Sequence, residues 1–161
     1  MSRRPIILVY HAISVDREFP SPAATNVTPP DFREQLDYLR NRFQILPLDR
    51  NISGEYRGGK DTVSITFDDG YRDTYRRAYR LLKELEIPAT FFLTVSRIGR
   101  DWPFPRGSYP GLSWDEVGEM AANPLVEIGS HGLAHRDLTK LPENEAEAEI
   151  RSSRVILEEK L

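Results

Sequence analysis

The sequence predicts an α/β fold, in which short buried strands alternate with longer amphipathic helices. Short apolar runs rich in β-branched residues recur along the chain, and segments with the helical spacing of apolar residues separate them. Two of these runs end in acidic or imidazole side chains. Because strands joined through helices lie parallel, their carboxyl ends meet at one edge of the sheet, where sites of this fold class collect. The chain is expected to form one domain, 1–161.

Five strands are expected, each placed by an apolar run between turn-forming or polar residues. They are predicted over residues 6–10, 45–48, 63–67, 87–95 and 125–131. A proline-rich loop follows the first strand, and a second long loop, rich in proline, glycine and aromatic residues, follows the fourth. A closed barrel of eight βα units takes about 250 residues, so about five units would form either an incomplete barrel or an open sheet with an exposed edge.

Helices are predicted between these strands, and two of them have recognisable starts. Thr28 followed by two prolines is typical of an N-cap and first turn. Ser113 with Glu116 predicts a capping box before a short helix. The faces expected to be buried carry Phe32, Leu36, Leu39 and Phe43 in the first helix, Ala78, Leu81, Leu82 and Leu85 in the second, and Ala146, Ile150, Leu157 and Leu161 in the last.

Composition excludes several classes of protein. The formal net charge of -3 comes from 22 basic and 25 acidic residues that are interspersed, which argues against a nucleic-acid partner. The sequence has no cysteine, so a metal site would depend on histidine and carboxylate ligands. The first apolar run is too short for a membrane span or an export signal. This favours the cytoplasm, unless a leader outside this chain directs it to the cell envelope.

The two runs that end in polar side chains read TFDDG and GSHGLAH. Adjacent carboxylates at the end of a buried strand are unfavourable unless a cation lies near them. His131 and His135 would come together if their loop made a helical turn. Two imidazoles and one carboxylate form a ligand set that favours zinc and leaves a position open for water. Either Asp68 or Asp69 supplies that carboxylate, and the other is free to accept a proton from the water.

Each of these features also has a simpler explanation. A lone Asp-Asp-Gly is usually a turn, and two histidines four residues apart are often a chance feature of a helix surface. Together at strand ends, the two motifs favour a site. His11 ends the first strand and is either a hydrogen-bonded rim residue or, as its position favours, part of the pocket. Trp102 and Trp114 are interpreted as packing residues, and the acidic run ENEAEAE as a solvated helix face.

The segment TFDDGYRDTYRRAYRLLKELEIPATFFL and the later SHGLAH resemble the first two motifs of the polysaccharide deacetylases, the NodB-homology carbohydrate esterases. The resemblance covers nearly the whole chain. It implies a deformed (β/α) barrel, a divalent metal ion, commonly zinc, and an N-acetylated or O-acetylated glycan as substrate. It also implies that Asp68 is the general base and that Asp69, His131 and His135 bind the metal.

The start ILVYHAIS resembles a subgroup with circularly permuted motifs, to which the poly-N-acetylglucosamine deacetylases belong. By this resemblance His11 is the general acid that protonates the leaving amine. Gly132 stands where the family has serine or threonine, which implies a softer metal site. The family's later motifs are missing from this sequence, so the chain is expected to be a C-terminally truncated domain that carries the metal half of the site.

The main hypothesis is therefore a metal-dependent hydrolase that removes N-acetyl or O-acetyl groups from a polysaccharide. An alternative from another class is a metal-binding or glycan-binding fragment without turnover. A third hypothesis keeps the enzyme class and changes the substrate to a small amide or a formylated sugar. The open edge of an incomplete sheet would need a cover, and a homo-oligomer could provide it.

Overall fold

The computed structural model describes residues 5–15, 25–54, 56, 58–105 and 107–161. Its strands are β1 (Ile6–Tyr10), β2 (Ala12–Ile13), β3 (Asn26–Val27), β4 (Gln44–Ile45), β5 (Thr62–Phe67), β6 (Ala89–Leu93), β7 (Asp101–Phe104), β8 (Gly107–Pro110) and β9 (Val126–Ser130). Its helices are α1 (Pro29–Arg42), α2 (Leu48–Ser53), α3 (Arg80–Glu84), α4 (Trp114–Ala121) and α5 (Glu143–Lys160), and a π-helical segment, Thr74–Tyr79, precedes α3. Residues 16–24, which belong to the predicted proline-rich loop, lie outside the described residues.

A parallel sheet forms the centre of the structure and confirms the predicted α/β class. Its strands follow the order β1-β5-β6-β9, and β4 pairs with the first residues of β5. The predicted second strand is shorter than expected, because Pro47 has no N–H for the ladder and acts as the N-cap of α2. Among the described strands, β1 and β9 each pair on one side only, so this part of the chain forms an incomplete barrel.

A row of stacked aromatic rings lies just beneath the carboxyl edge of the sheet. Tyr10 of β1, Phe67 of β5 and Phe91 of β6 occupy matching positions in adjacent strands. The ring centroids of Phe67 and Phe91 are 4.7 Å apart, and those of Tyr10 and Phe67 are 5.4 Å apart. Phe32 of α1 packs edge-on against the latter pair. Since side chains alternate along a strand, the residues that follow Tyr10 and Phe67 are directed to the opposite side of the sheet.

Both predicted helix starts are confirmed. The Thr28 hydroxyl accepts a hydrogen bond from the N–H of Asp31 at the start of α1. Ser113 and Glu116 form both hydrogen bonds of a capping box before α4. None of the described helices combines the length and the apolar character that a membrane span requires.

Helix α5 turns a different face to the sheet from the one predicted. Ile150 and Leu161 are 56% and 52% exposed, whereas Glu149, Ser153 and Leu157 are buried. The hydroxyl of Ser153 hydrogen-bonds Ser130 at the end of β9, and Glu149 accepts hydrogen bonds from the following loop. The prediction was right for Leu157 and wrong for Ile150 and Leu161, because polar contacts as well as apolar spacing orient this helix.

The segment predicted as a long loop after the fourth strand contains an antiparallel hairpin of β7 and β8. Trp102 and Tyr109 of the hairpin pack with Tyr71 and Ala12 into a second apolar cluster. Trp102 is therefore a packing residue, as predicted. Prolines in both strands obscured the strand pattern in the sequence, because proline is tolerated only on edge strands or at bulges.

Asp73 joins the segment after TFDDG to the segment after β1. Its Oδ2 accepts a 2.6 Å hydrogen bond from the N–H of Ile13, and Arg77 donates a 3.1 Å hydrogen bond to the carbonyl oxygen of Ile13. The Asp73 side chain is buried. Burial raises the pKa of its carboxyl to about 6, although the hydrogen bond from Ile13 and the charge of Arg77 oppose the rise.

Replacing Asp73 by asparagine should change how stability depends on pH. The folded-state pKa of about 6 lies above the ordinary value of 3.8, so the folded protein holds this proton more tightly than the unfolded chain. The wild type therefore gains stability from protonation at low pH and loses it as the pH rises through this interval. Relative to Asp73→Asn, its free energy of unfolding should fall by about 3 kcal/mol between roughly pH 4 and 6. Urea denaturation at several pH values measures this, and parallel curves for the two proteins would contradict it.

Candidate metal centre

The turn after β5 brings Asp68 and Asp69 to the carboxyl edge of the sheet. The N–H of Asp68 donates a 2.9 Å hydrogen bond to the carbonyl oxygen of Tyr10, which fixes this residue to the end of β1. Asp69 and Gly70 both have left-handed backbone conformations, with φ values of 74° and 86°. Aspartate tolerates this region better than most residues, and glycine has no side chain to oppose it. The chain therefore reverses direction at this point, which directs the carboxylate of Asp69 toward the loop after β9.

The loop after β9 carries both predicted histidines. The N–H of His131 donates a 2.9 Å hydrogen bond to the carbonyl oxygen of Leu93, which ties the start of the loop to the end of β6. The loop does not make a helical turn, because Gly132 and His135 have left-handed φ values of 83° and 59°. The resulting bend still brings the two imidazoles together, with ring centroids 5.2 Å apart.

Asp69, His131 and His135 converge on one point. Oδ1 of Asp69 lies 3.5 Å from Nε2 of His131 and 3.2 Å from Nε2 of His135. Ligands of a tetrahedral zinc ion, each bound at about 2.0–2.1 Å, lie roughly 3.3 Å from one another, so these separations fit a shared ion. Of the two aspartates left open by the sequence, Asp69 is the one in this group, whose ligand atoms all lie within 4.8 Å of one another.

The environment of Asp69 also favours a cation. Its Oδ1 is buried and accepts no hydrogen bond from the residues that the structure describes. A buried carboxylate oxygen without a donor is unfavourable, and a positive ion at this point would remove the cost. The residues present therefore fit a divalent metal ion by distance, by ligand type and by the unmet requirement of one buried oxygen.

Tyr71 and Trp102 hold two members of this group in place. The hydroxyl of Tyr71 donates a hydrogen bond to the carboxylate of Asp69. Burial, together with the charge of Asp69, raises the pKa of Tyr71, so the hydroxyl keeps its proton and remains a donor. Trp102 packs edge-on against the ring of His135, with centroids 5.5 Å apart. This contact of Tyr71 could not be predicted from the sequence, because it depends on how the chain reverses after Asp69.

Glu149 of α5 supports the loop between the two histidines. Its Oε2 accepts hydrogen bonds from the N–H groups of Leu133 and Ala134, at 3.0 Å and 2.8 Å. The brace expected to be lost at Gly132 is therefore supplied by a side chain from the helix. Interpreting the whole acidic run ENEAEAE as solvated was wrong for this residue, which is 5% exposed. Nothing in the sequence distinguished Glu149 from its acidic neighbours, because its partners belong to a bent loop.

Asp68 and His11 lie beside the metal-binding group. Burial raises the pKa of the Asp68 carboxyl, the positive charges of His131 and His11 oppose the rise, and the charge of Asp69 adds to it. Tyr10 and Phe67 pair in register, so His11 and Asp68 follow neighbouring strands at the same edge of the sheet.

A cavity of about 520 Å³ opens beside the histidines, a size typical of small-molecule sites. Its walls are formed by Ser130, His131, Gly132, His135, Arg136, Asp137, Leu138, Glu149 and Ile150. A larger and more apolar cavity, of about 660 Å³, lies along β1 and α1 and contains none of the candidate metal ligands. The smaller cavity is therefore the one next to the site, because His131 and His135 line it.

Comparison with known proteins finds similarity to deacetylases. The sequence profile of the family described as polysaccharide deacetylase matches residues 55–161. YxkH of Bacillus subtilis (strain 168), named for this family, is 29% identical over 156 residues, which cover 94% of this chain and 50% of YxkH. The poly-beta-1,6-N-acetyl-D-glucosamine N-deacetylase of Escherichia coli (strain K12) is 33% identical over 113 residues, which cover 62% of this chain and 16% of that protein. The chain thus spans half or less of these two curated relatives.

Two solved structures resemble the whole described fold. The deacetylase PplD of Streptococcus pyogenes, in complex with acetate, matches 100% of this chain and 70% of its own, with a TM-score of 0.80 and 26% identity. IcaB from Ammonifex degensii matches 98% of this chain and 70% of its own, with a TM-score of 0.77 and 25% identity. The incomplete barrel is therefore similar to the corresponding part of larger deacetylase structures.

Replacing Glu149 by alanine should weaken zinc binding. The change leaves the N–H groups of Leu133 and Ala134 without their acceptor and loosens the loop that carries both histidines. Outer-shell changes of this kind typically cost about 10-fold to 100-fold in metal affinity. Titration calorimetry with zinc would measure the loss.

Glu147→Ala is the matched control for this variant. Glu147 lies on the same helix, but it is exposed and pairs only with Arg151 among the described residues. Zinc affinity should stay at the wild-type level in this control. Equal zinc affinities for folded Glu149→Ala and Glu147→Ala proteins would show that the hydrogen bonds to the loop do not support the site.

Proposed function

Because the chain belongs to the polysaccharide deacetylase family, we propose that it is a metal-dependent hydrolase that removes acetyl groups from a polysaccharide. The observation that carries this proposal is the buried Oδ1 of Asp69, which faces two imidazole nitrogens and lacks a hydrogen-bond donor among the described residues. This arrangement supports a cation site at the carboxyl edge of the sheet. The names of the relatives support acetyl transfer to water as the reaction.

The proposed metal ligands are Asp69, His131 and His135. Two imidazoles and one carboxylate match the ligand set of catalytic zinc sites, which keep one position open. A zinc ion held by these residues would supply a Lewis acid that lowers the pKa of water from about 15.7 toward 7. The half-exposed side of His135 leaves room for substrate to approach.

Asp68 is the proposed general base. It adjoins Asp69 in the chain and is only partly buried, so its carboxylate can reach a water molecule at the site. It accepts a proton from that water as the water oxygen attacks the acetyl carbonyl carbon.

His11 is the proposed general acid. An amine is a poor leaving group unless its nitrogen is protonated as the carbon–nitrogen bond breaks. His11 lies near Asp68 at the end of β1, and an imidazole gives up a proton in the physiological range. Donation of this proton to the nitrogen releases acetate and leaves a free amine on the sugar.

The proposed substrate is a polymer that contains N-acetylglucosamine. The relative from Escherichia coli is named for the β-1,6-linked polymer of this sugar. The cavity beside the histidines has the volume of a typical small-molecule site and could hold a sugar unit next to the reacting group. O-acetyl groups are a second class of target, since ester cleavage requires the same base and the same water.

Activity is tested directly by incubating the chain with zinc and a β-1,6-linked N-acetylglucosamine oligomer. The account predicts acetate release.

Asp68→Asn should bind zinc as tightly as the wild type but turn over about 10²-fold to 10⁴-fold more slowly, because the proton acceptor is lost. Asp69→Ala should lose both zinc binding and turnover, because a metal ligand is missing.

Asp115→Ala serves as the control, since Asp115 is an exposed residue of α4. It should match the wild type in zinc affinity and in acetate release. Equal loss of zinc by Asp68→Asn and Asp69→Ala would contradict the assigned roles. Zinc binding by the wild type without acetate release would instead favour a metal- or glycan-binding protein without turnover.

A further inference from the structure

We infer that Asp73 and Arg77 are positioning residues that hold His11 in its working orientation. Neither residue belongs to the metal-binding group, and both bind the short segment that follows His11 in the chain. The inference deepens the proposed function and rests on it, because it supposes that His11 donates a proton. One of its tests nevertheless needs no activity at all.

The contacts are with the backbone on the C-terminal side of His11. Oδ2 of Asp73 accepts a 2.6 Å hydrogen bond from the N–H of Ile13. One Nη of Arg77 donates a 3.1 Å hydrogen bond to the carbonyl oxygen of the same residue. A carboxylate and a guanidinium four residues apart thus bind both polar groups of one backbone residue, and each bond is strengthened by charge.

The backbone on the N-terminal side of His11 is fixed as well. The carbonyl oxygen of Tyr10 accepts a 2.9 Å hydrogen bond from the N–H of Asp68. His11 therefore lies between two anchored positions, and both anchors come from the segment Asp68–Asp73. Because this segment also carries Asp69, the general acid, the general base and a metal ligand are held in one rigid frame.

The surroundings of this anchor leave little room for adjustment. Ala12, Ile13 and Ser14 are fully buried, and the side chain of Asp73 is 6% exposed. Tyr109 of the β7–β8 hairpin hydrogen-bonds both Asp73 and Ser14 through its hydroxyl. A buried carboxylate is costly unless it is paired and hydrogen-bonded, and here the charge of Arg77 and the N–H of Ile13, which donates to Oδ2, offset part of that cost. Asp73 and Arg77 can therefore fix the position of the backbone segment Ala12–Ser14.

Placement of His11 matters for proton donation because the imidazole must point at the leaving nitrogen. A displacement of about 1 Å at a reacting group can cost on the order of 100-fold in rate. Loss of the Asp73 anchor should free the segment Ala12–Ser14 and let the ring of His11 sample other directions. The metal ligands would keep their own supports on β6, β9 and α5.

The first experiment observes the imidazoles directly by NMR. The chain contains three histidines, so the ring signals of His11 can be separated from those of His131 and His135. In Asp73→Ala the His11 ring signals should shift or broaden, while the other two histidines and the zinc affinity stay as in the wild type. Arg76→Gln, an exposed neighbour on the same helical segment, is the control and should move none of them.

Arg77→Gln carries the same test if Asp73→Ala does not fold, since it removes the hydrogen bond to the Ile13 oxygen and the positive charge beside Asp73. A His11 ring that is unchanged, or that moves no more than His131 and His135, would overturn the inference. This result does not depend on turnover. It therefore separates a failure of the positioning role from a failure of the proposed deacetylase activity, which would show as a wild type without acetate release.

The second experiment is a double-mutant cycle on acetate release. Asp73→Ala should lower kcat by about 10-fold to 100-fold and leave KM unchanged. In a His11→Ala background the same change should alter kcat by less than about 2-fold. The reason is that the effects of substituting two residues that act as a unit do not add. A purely structural role would instead lower kcat by the same factor in both backgrounds, and that outcome would reject positioning through His11.

Discussion

A buried carboxylate oxygen that faces two imidazole nitrogens is the constraint on which the site depends. Oδ1 of Asp69 has no hydrogen-bond donor among the described residues, and Nε2 atoms of His131 and His135 lie 3.5 Å and 3.2 Å away. Such an arrangement is unfavourable without positive charge between its members. The left-handed backbone at Asp69 is a second cost, of about 1–3 kcal/mol, of the kind that functional sites store. Both costs are explained together if the group binds a cation.

The fold meets this constraint by fixing each ligand from a different direction. The aromatic row of Tyr10, Phe67 and Phe91 keeps the strand ends in register beneath the site. Tyr71 holds the carboxylate of Asp69, and Glu149 of α5 holds the loop between the histidines. The two adjacent aspartates consequently have different environments. One is buried within the candidate ligand group, and its neighbour remains partly exposed.

The sequence predicted those parts of the structure that depend on local pattern. Apolar runs placed β1, β5, β6 and β9, and the TFDDG and GSHGLAH motifs contain Asp69, His131 and His135, the three residues that the fold brings together. The hairpin of β7 and β8 was missed because prolines interrupt its pattern. The roles of Tyr71, Glu149 and Asp73 were missed because their partners are distant in the chain or lie in bent loops, and one acidic residue of α5 resembles another until the helix is oriented. The spacing of the two histidines indicated that they could meet through a helical turn, whereas left-handed backbone at Gly132 and His135 brings the rings together instead.

Anomalous diffraction from crystals of this chain soaked in zinc is the most direct measurement of the central claim. The account predicts a single strong zinc peak at about 2.0–2.2 Å from Oδ1 of Asp69 and from Nε2 of His131 and His135. It also predicts a fourth ligand position that faces Asp68. A zinc peak elsewhere, or no ordered zinc beside Asp69 at saturating concentration, would contradict the claim and leave the buried carboxylate without an explanation.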